Sequence, residues 1–329
     1  MEIINGTPYA MERGVIFDRI GNETLLVVIK GTFDFFAGGT QLAEEQVPVV
    51  QADEYYGDPT TTSIRVATDM LPLRPGTGIT LQGQAVSTNG PVRKMNVGIK
   101  IGELSQKAVV FGDRLGFDHL NSPEAFERMP LTWENAFGGY DTSNDNPKRH
   151  DAMQQNPIGK GFMASRSKLS ANEVPLPNIE HPGQRLRSPF DKVPAVGFGP
   201  VAPAWLNRRQ FAGTYDKQWE QERMPLLPDD FDDRFLQAAP PELTANAYLQ
   251  GNQPVVLLGM TEEGRVSFDL DAPAPVIGVR FHQSAVRSKP KLESIHFDTE
   301  ARQVQLIWKS CINIQGKVES FSNVEARLL

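Results

Sequence analysis

Four aspartates within five positions are the residues of this sequence best suited to acid–base chemistry. They directly follow Pro228 and are Asp229, Asp230, Asp232 and Asp233. Two carboxylates at a controlled separation can hydrolyse a glycosidic bond, one as the acid and the other as nucleophile or base. Acidic residues at the start of a helix also complement the helix dipole and then need no catalytic role. The second interpretation is favoured, and a β-rich glycan hydrolase that uses two of these aspartates is the enzymatic alternative.

Histidine and cysteine, which supply metal ligands and nucleophiles, are sparse in this chain. The histidines lie far apart and are His119, His150, His181, His282 and His296. The single cysteine, Cys311, falls on a predicted strand, where no helix terminus would activate its thiol. A zinc site would need ligands assembled from distant segments. We therefore expect no metal site, no cofactor and no cysteine nucleophile.

Glycine motifs for phosphate and acyl chemistry are missing from the sequence. It contains no phosphate-binding loop ending in Gly-Lys-Ser/Thr and no Gly-x-Ser-x-Gly nucleophile elbow. The glycine-bearing fragments at residues 159–161 and 197–199 neither follow a predicted strand nor open a predicted helix, as a dinucleotide fingerprint requires. These absences favour a protein that is not an enzyme.

Composition and charge narrow the class of protein further. The 329 residues suffice for one large domain or two intimate ones, and one cysteine excludes a disulfide-stapled secreted fold. The formal net charge of −7 argues against binding to a nucleic-acid backbone. No apolar run is long enough to span a membrane, and residues 1–6 lack the features of a signal peptide. We therefore expect a cytoplasmic protein.

Strands rather than long helices are expected to dominate the fold. The 28 glycines and 25 prolines disfavour long helices. Residues 25–29 form a short apolar run that is typical of a buried strand. Residues 64–70 and 95–101 alternate apolar and polar side chains, which predicts antiparallel strands with one wetted face. The fold class that follows is mainly β.

Two hairpins are predicted near the end of the chain, over residues 255–270 and 295–308. The more polar face of the last strand carries Gln303, Gln305, Lys309 and Cys311. The patterns divide the chain into an N-terminal β region (1–111), a loop-rich central segment with short helices (112–245) and a C-terminal hairpin region (246–329). We expect antiparallel sheets in two packed lobes that together form one compact unit.

The central segment is rich in proline-bearing turns and is expected to be ordered. Ser122 and Pro123 suit the cap and first position of a helix that must end before Pro130. A second short helix is predicted from Asp229 towards Ala239. Nine aromatic residues from Phe190 to Tyr248 make disorder the weaker interpretation of this long loop region.

Several motifs of the central segment occur in an order that carries a resemblance. They are MPLTWENAFGGY (129–140), NPIGKGF (156–162), LPNIE (176–180), GFGP (197–200), GTYD (213–216) and FLQAAPP (235–241). This series resembles a bacterial family long catalogued as a domain of unknown function and met beside type VI secretion genes. The apolar strand leading into IKGTF (29–33) and the closing hairpins also fit, so the resemblance covers nearly the whole chain.

The resemblance implies a cytoplasmic, non-enzymatic adaptor or chaperone that loads a toxic effector onto the secretion spike. The implied partner is one effector protein, bound near its spike-tip (PAAR-repeat) domain or a transmembrane-prone segment, with possible contact to the spike itself. A structural component of the secretion baseplate is a further alternative. Neither nucleic acid nor membrane insertion is expected.

An aromatic set in the central segment is the candidate partner-binding surface. Aromatic and arginine side chains are enriched at interface hot spots. The candidates are Trp205, Arg209, Phe211, Tyr215, Trp219, Phe231 and Phe235. The alternative is that these aromatics pin irregular loops to the sheets as a satellite core, and this packing role is slightly favoured because the motifs look common to the family. Exposed sheet edges, which could capture a client strand, are a second candidate surface.

Overall fold

The fold is mainly β, as the sequence predicts. A computed structural model describes residues 2–117, 122–314, 316 and 321–328. The α-helices of this described part are short, with α1 at Leu206–Arg209 and α2 at Lys217–Glu222. None of its helices is long and apolar enough to cross a membrane.

The described strands fall into three runs along the chain, and the middle run holds only short strands of two or three residues. The first are β1 (Glu2–Gly6), β2 (Ala10–Phe17), β3 (Glu23–Phe36), β4 (Gly39–Leu42), β5 (Glu54–Tyr55), β6 (Ile64–Val66), β7 (Gly78–Gln82), β8 (Gln84–Val86), β9 (Lys94–Ile101) and β10 (Leu104–Phe111). The short ones are β11 (Arg128–Pro130), β12 (Phe137–Gly138), β13 (Tyr140–Asp141), β14 (Asp151–Ala152), β15 (Lys160–Gly161) and β16 (Ile179–Glu180). The last are β17 (Pro254–Leu258), β18 (Arg265–Asp269), β19 (Pro275–Phe281), β20 (Ala285–Ser288), β21 (Lys291–Asp298), β22 (Gln303–Asn313) and β23 (Phe321–Leu328).

The central sheet has the order β2-β3-β22-β21-β7, with β4 paired to β3. Its pairs are antiparallel except for the parallel pair of β21 and β7. Residues 25–29 lie in β3 and are fully buried, which confirms the predicted buried strand. The β21–β22 pair confirms the predicted hairpin over residues 295–308. Ile29 of β3 lies opposite Trp308 of β22, so strands from both ends of the chain share this sheet.

A second sheet has the order β16-β10-β9-β17-β18, and its pairs are antiparallel. Strand β9 confirms the alternation predicted for residues 95–101, because Val97 and Ile99 are buried while Lys94 and Lys100 are exposed. The hairpin predicted over residues 255–270 is formed by β17 and β18. A third sheet, β1-β23-β19-β20, includes a parallel pair of β1 and β23. One apolar core joins all three sheets.

The motifs of the central segment form a packed frame of loops. The indole of Trp133 donates to the carbonyl oxygens of Gly199 and Pro200, each at 3.0 Å. A Cβ on Gly197 would lie only 2.7 Å from the Trp133 ring, so this motif requires a glycine there. Asn156 is fully buried and donates to the carbonyl oxygens of Trp133 and Phe137. The motif residues therefore hold the loops together through backbone contacts.

Both helix predictions in the central segment need correction. Residues 122–125 are irregular and Arg128–Pro130 form β11, paired with β8, so the helix predicted from Ser122 is wrong. The backbone of Phe126 instead exchanges hydrogen bonds with Val92, and this strand pairing overrides the local capping signal. In place of a helix from Asp229 towards Ala239, only a 3-10 turn forms over Asp233–Leu236.

The alternation predicted over residues 64–70 also forms only in part, because strand β6 ends at Val66. Beyond it, the Thr68 hydroxyl donates to the carbonyl oxygen of Gln51 and the Thr68 amide to Asp53. At Thr68, these hydrogen bonds with residues 51 and 53 fix the backbone in place of strand pairing.

The polar face of the central sheet is buried. Gln305 and Lys309, which the sequence pattern places on the more polar face of the last strand, are 6% and 1% exposed. Residues 43–77 cover this face, and the Gln46 amide donates to the Thr32 carbonyl oxygen at 3.0 Å. Lys30 of β3 is also 1% exposed here. The sheet therefore separates an apolar layer from a polar layer that solvent does not reach.

Candidate functional site

The seven candidate residues lie in one segment, but they differ in exposure. Trp205 and Phe231 are buried, whereas Phe211, Trp219 and Phe235 are half-buried. Arg209 and Tyr215 are exposed. The segment therefore has an inner half that packs on the core and an outer half that faces solvent.

The inner half is anchored through Trp205 and Arg208. The Trp205 ring packs edge-on against Trp133, with centroids 5.5 Å apart. The buried Arg208 guanidinium donates to the carbonyl oxygens of Val201 and Phe235, each at 2.8 Å. Burial is the main cause that lowers the Arg208 pKa to about 10, and repulsion from Arg74 adds to it. These contacts fix where the segment enters and leaves the core.

The outer half is built around helix α2. The Asp216 carboxylate caps this helix by accepting from the Trp219 amide at 2.9 Å. The Trp219 indole donates to the carbonyl oxygen of Leu226, also at 2.9 Å. The Tyr215 ring lies edge-on to Trp219, with centroids 4.7 Å apart. Tyr215 is therefore held by its neighbours while half of its surface stays in solvent.

The turn between β2 and β3 docks against this segment. The Arg19 guanidinium donates to the carbonyl oxygen of Phe231 at 2.6 Å, and Arg223 donates to the carbonyl oxygen of Arg19 at 3.1 Å. Gly21 adopts φ +84° and lies against Leu226. The turn residues 17–22 and the segment 223–231 thus form one surface from distant parts of the chain.

The Asp18 carboxylate holds this turn together. It accepts hydrogen bonds from the amides of Ile20 and Asn22 and from the Asn22 side chain. Burial alone would raise the Asp18 pKa, but these hydrogen bonds outweigh it and the pKa is lowered. The ionised form, which favours the observed turn, therefore persists to lower pH.

We define the apolar patch as Phe17, Ile20, Tyr215, Trp219 and Met224. Four of its side chains are strongly exposed: Phe17 (67%), Ile20 (68%), Tyr215 (54%) and Met224 (61%). Single exposed apolar residues are ordinary, whereas a group on one hydrogen-bonded surface is typical of a protein interface. The sequence pattern does not predict Phe17, Ile20 or Met224 as part of this surface. An isoleucine within the polar turn Asp-Arg-Ile-Gly-Asn was the available signal.

The clustered aspartates have structural partners. Asp230 accepts from the Thr214 amide and hydroxyl, at 2.9 and 2.7 Å, and these bonds lower the Asp230 pKa. Asp232 accepts from Arg234, which lowers the Asp232 pKa as well. Asp229 lies 3.2 Å from Arg223. A general acid for glycoside hydrolysis needs a raised pKa, so neither lowered carboxyl suits that role.

The described residues contain no group of three or more histidine, cysteine or carboxylate side chains placed to hold a metal. His119 lies outside the described residues. Cys311 lies near the end of β22 and part of its surface is open to solvent. The protein atoms around its thiol nevertheless desolvate that group, which raises the Cys311 pKa. A raised thiol pKa disfavours the nucleophilic thiolate.

A broad groove lies beside the inner half of the aromatic segment. Its volume is about 880 Å³, and its wall includes Phe162, Pro194 and Leu206 together with the exposed Phe190. The Arg209 guanidinium donates to Gln154 at its rim, at 2.7 Å. Arg209 is thus engaged within the chain, away from the apolar patch.

Residues 20–309 match a family model described as "uncharacterized protein conserved in bacteria" (DUF2169). The chain belongs to this family. Among curated proteins and among solved structures, nothing matches the chain. The matched range covers the loop frame, the aromatic segment and the central sheet except for β2 and the end of β22. Of the five patch residues, all but Phe17 lie within it.

Proposed function

We propose that this DUF2169 protein is a cytoplasmic, non-enzymatic adaptor that binds a type VI secretion effector and helps load it onto the spike. The observation that carries the proposal is the apolar patch, in which four large side chains are more than half exposed. The resemblance to adaptors encoded beside spike genes supplies the class of partner. Masking an aggregation-prone surface of the effector requires an apolar surface of this kind on the adaptor.

The patch combines side chains held by their neighbours with a methionine that can adapt to its partner. Tyr215 and Trp219 pack on each other and on hydrogen-bonded loops, so binding orders them little further. Met224 is unbranched and adapts to irregular partner surfaces. A partner surface rich in apolar side chains fits this patch. We propose the effector region near its PAAR-type spike-tip domain as that surface.

Co-expression with the effector encoded beside this protein tests the proposal. The effector is expected to accumulate in soluble form with the wild-type adaptor and to aggregate without it. Ile20→Ser with Tyr215→Ser should lose this protection while the adaptor stays folded, because both side chains are mostly in solvent. The matched control is Tyr140→Ser, since Tyr140 is 60% exposed outside the patch.

An effector that is equally soluble and equally secreted without the adaptor would refute the proposal. Protection that survives the double substitution would refute the patch as the binding surface and leave the groove at Phe190 to be tested.

A further inference from the structure

The buried polar face of the central sheet carries more cations than carboxylates. Lys30 Nζ lies 3.2 Å from Asp69 Oδ2, and both side chains are buried. Glu293 is shared by two cations, with Arg74 Nε at 2.7 Å and Lys309 Nζ at 3.1 Å. Three cations against two carboxylates leave this buried cluster with one positive charge in excess. An uncompensated buried charge is costly.

The surroundings add to this excess. Arg208 is also buried, and repulsion between Arg208 and Arg74 contributes to the lowered pKa of Arg208. The Arg208 hydrogen bonds go to carbonyl oxygens, which bear no net charge. Asp53 attracts Arg208 but is only half-buried. Asp298 and Arg65 also act on His296, and their effects on the His296 pKa are of opposite sign.

A small cavity adjoins the cluster. Its volume is about 20 Å³, which is room for one occupant about the size of a water molecule. Its wall includes Lys30, Asp69, Arg74, Thr80, Gln237 and His296. Multiatomic oxyanions are too large for this space.

Two side chains on the cavity wall have buried nitrogen atoms without a hydrogen-bond partner. They are Nε2 of Gln237 and Nε2 of His296, whose residues are 8% and 4% exposed. The Gln237 Oε1 atom accepts from the Ala239 amide at 3.1 Å, which assigns the other end of the side chain as the donor. His296 Nδ1 lies 2.9 Å from the Thr80 hydroxyl. If that hydroxyl donates to Nδ1, His296 Nε2 carries the proton and is a second donor.

We propose that this cavity binds a small monovalent anion of halide size. The anion supplies the charge that the cluster lacks and accepts hydrogen bonds from Gln237 and His296. A water molecule would fill the volume but would leave the excess charge, and a metal cation would add to it. The bound anion would tie the covering segment, through the cationic Arg74, to the sheet strands that carry Lys30 and His296.

Crystals of the whole protein soaked in sodium bromide provide the direct test. An anomalous peak is expected in the cavity between Gln237 and His296. In solution, thermal unfolding in sodium chloride and in sodium gluconate at equal ionic strength measures the coupling to stability. Because a ligand of the folded state stabilises it by mass action, Tm should rise by about 2 °C for each tenfold increase in chloride above its dissociation constant.

The Gln237→Glu variant distinguishes anion binding in the cavity from a general effect of salt on stability. The glutamate has nearly the same shape and places a carboxylate in the cavity, so it should remove most of the chloride dependence. Gln250→Glu is the matched control, because Gln250 is exposed and makes the same change of charge outside the cavity. This control should keep the wild-type dependence on chloride.

An ordered water in place of bromide, together with equal Tm in chloride and gluconate, would overturn the proposal. A chloride dependence that Gln237→Glu leaves intact would place the anion elsewhere and would also overturn it. If the Gln237 variant fails to fold, the anomalous map of the bromide-soaked wild-type crystal still shows whether the cavity binds a halide.

Discussion

Lys309 Nζ lies 3.1 Å from Glu293 Oε2, and both side chains are entirely hidden from solvent. Glu293 is the extra residue of a β-bulge, since Leu292 pairs with Trp308 and Ser294 pairs with Ile307. A bulge turns a side chain to the other face of its sheet. It therefore brings a carboxylate to the polar face, where Lys309 would otherwise be buried without a counter-charge.

Glu293→Gln should destabilise the protein strongly, because it leaves Lys309 and Arg74 buried without their shared carboxylate. We expect the free energy of unfolding to fall by about 3 kcal/mol or more, measured by chemical denaturation. The control is Glu262→Gln, which breaks an exposed pair with Arg128 and should cost less than about 1 kcal/mol. Equal losses in the two variants would contradict the role of burial.

Stability should fall with acid in a way that depends on His296. Burial, followed by repulsion from Lys30, lowers the His296 pKa to about 4, below its ordinary value of 6.5. The unfolded chain thus binds this proton first, so stability is full above about pH 6.5 and declines towards pH 4. The loss from this group is about 3 kcal/mol. His296→Gln should flatten that part of the pH profile, and an unchanged profile would contradict the buried neutral imidazole.

Gly197→Ala should destabilise the loop frame, because the new methyl group would collide with the fixed Trp133 ring. We expect a loss of about 1–3 kcal/mol in thermal or chemical unfolding. Gly278→Ala is the control, since no atom lies within 4 Å of an added Cβ there. That variant should be neutral or slightly more stable.

Asp216→Ala should loosen helix α2 without unfolding the protein. It removes the cap on the Trp219 amide, which is worth about 1 kcal/mol locally. We expect faster amide hydrogen exchange over residues 217–222 and weaker binding of the effector. Asp216→Asn should restore both, because asparagine is an equally good cap. Binding unaffected by the alanine substitution would show that α2 does not present the patch.

The regular strands were predictable because each carries its own pattern. The apolar run in β3 and the alternation in β9 are local signals, and the structure confirms both. The Ser122 capping signal is local too, yet the strand contact of Phe126 with Val92 overrides it. Local patterns predict elements only where no distant partner competes for the same backbone groups.

The candidate surface was predictable only in part. Tyr215 and Trp219 belong to a motif, so the sequence drew attention to them. Phe17 and Ile20 join them only because Arg19 reaches Phe231 across the fold, over 200 positions along the chain. The burial of Lys309 has the same origin, since the segment that covers it lies far away in sequence. Sequence periodicity predicts which face of a strand a side chain lies on. It does not predict which distant segment covers that face.

The central claim is that the apolar patch binds an effector with a spike-tip domain. The most direct measurement is a quantitative pull-down of the tagged protein from a lysate of its native host, with and without the neighbouring genes. We expect one dominant partner bearing a PAAR-type domain, lost with those genes and in the Ile20→Ser, Tyr215→Ser variant, but retained by Tyr140→Ser. A bait that captures no such partner, or captures it equally with both variants, would contradict the claim.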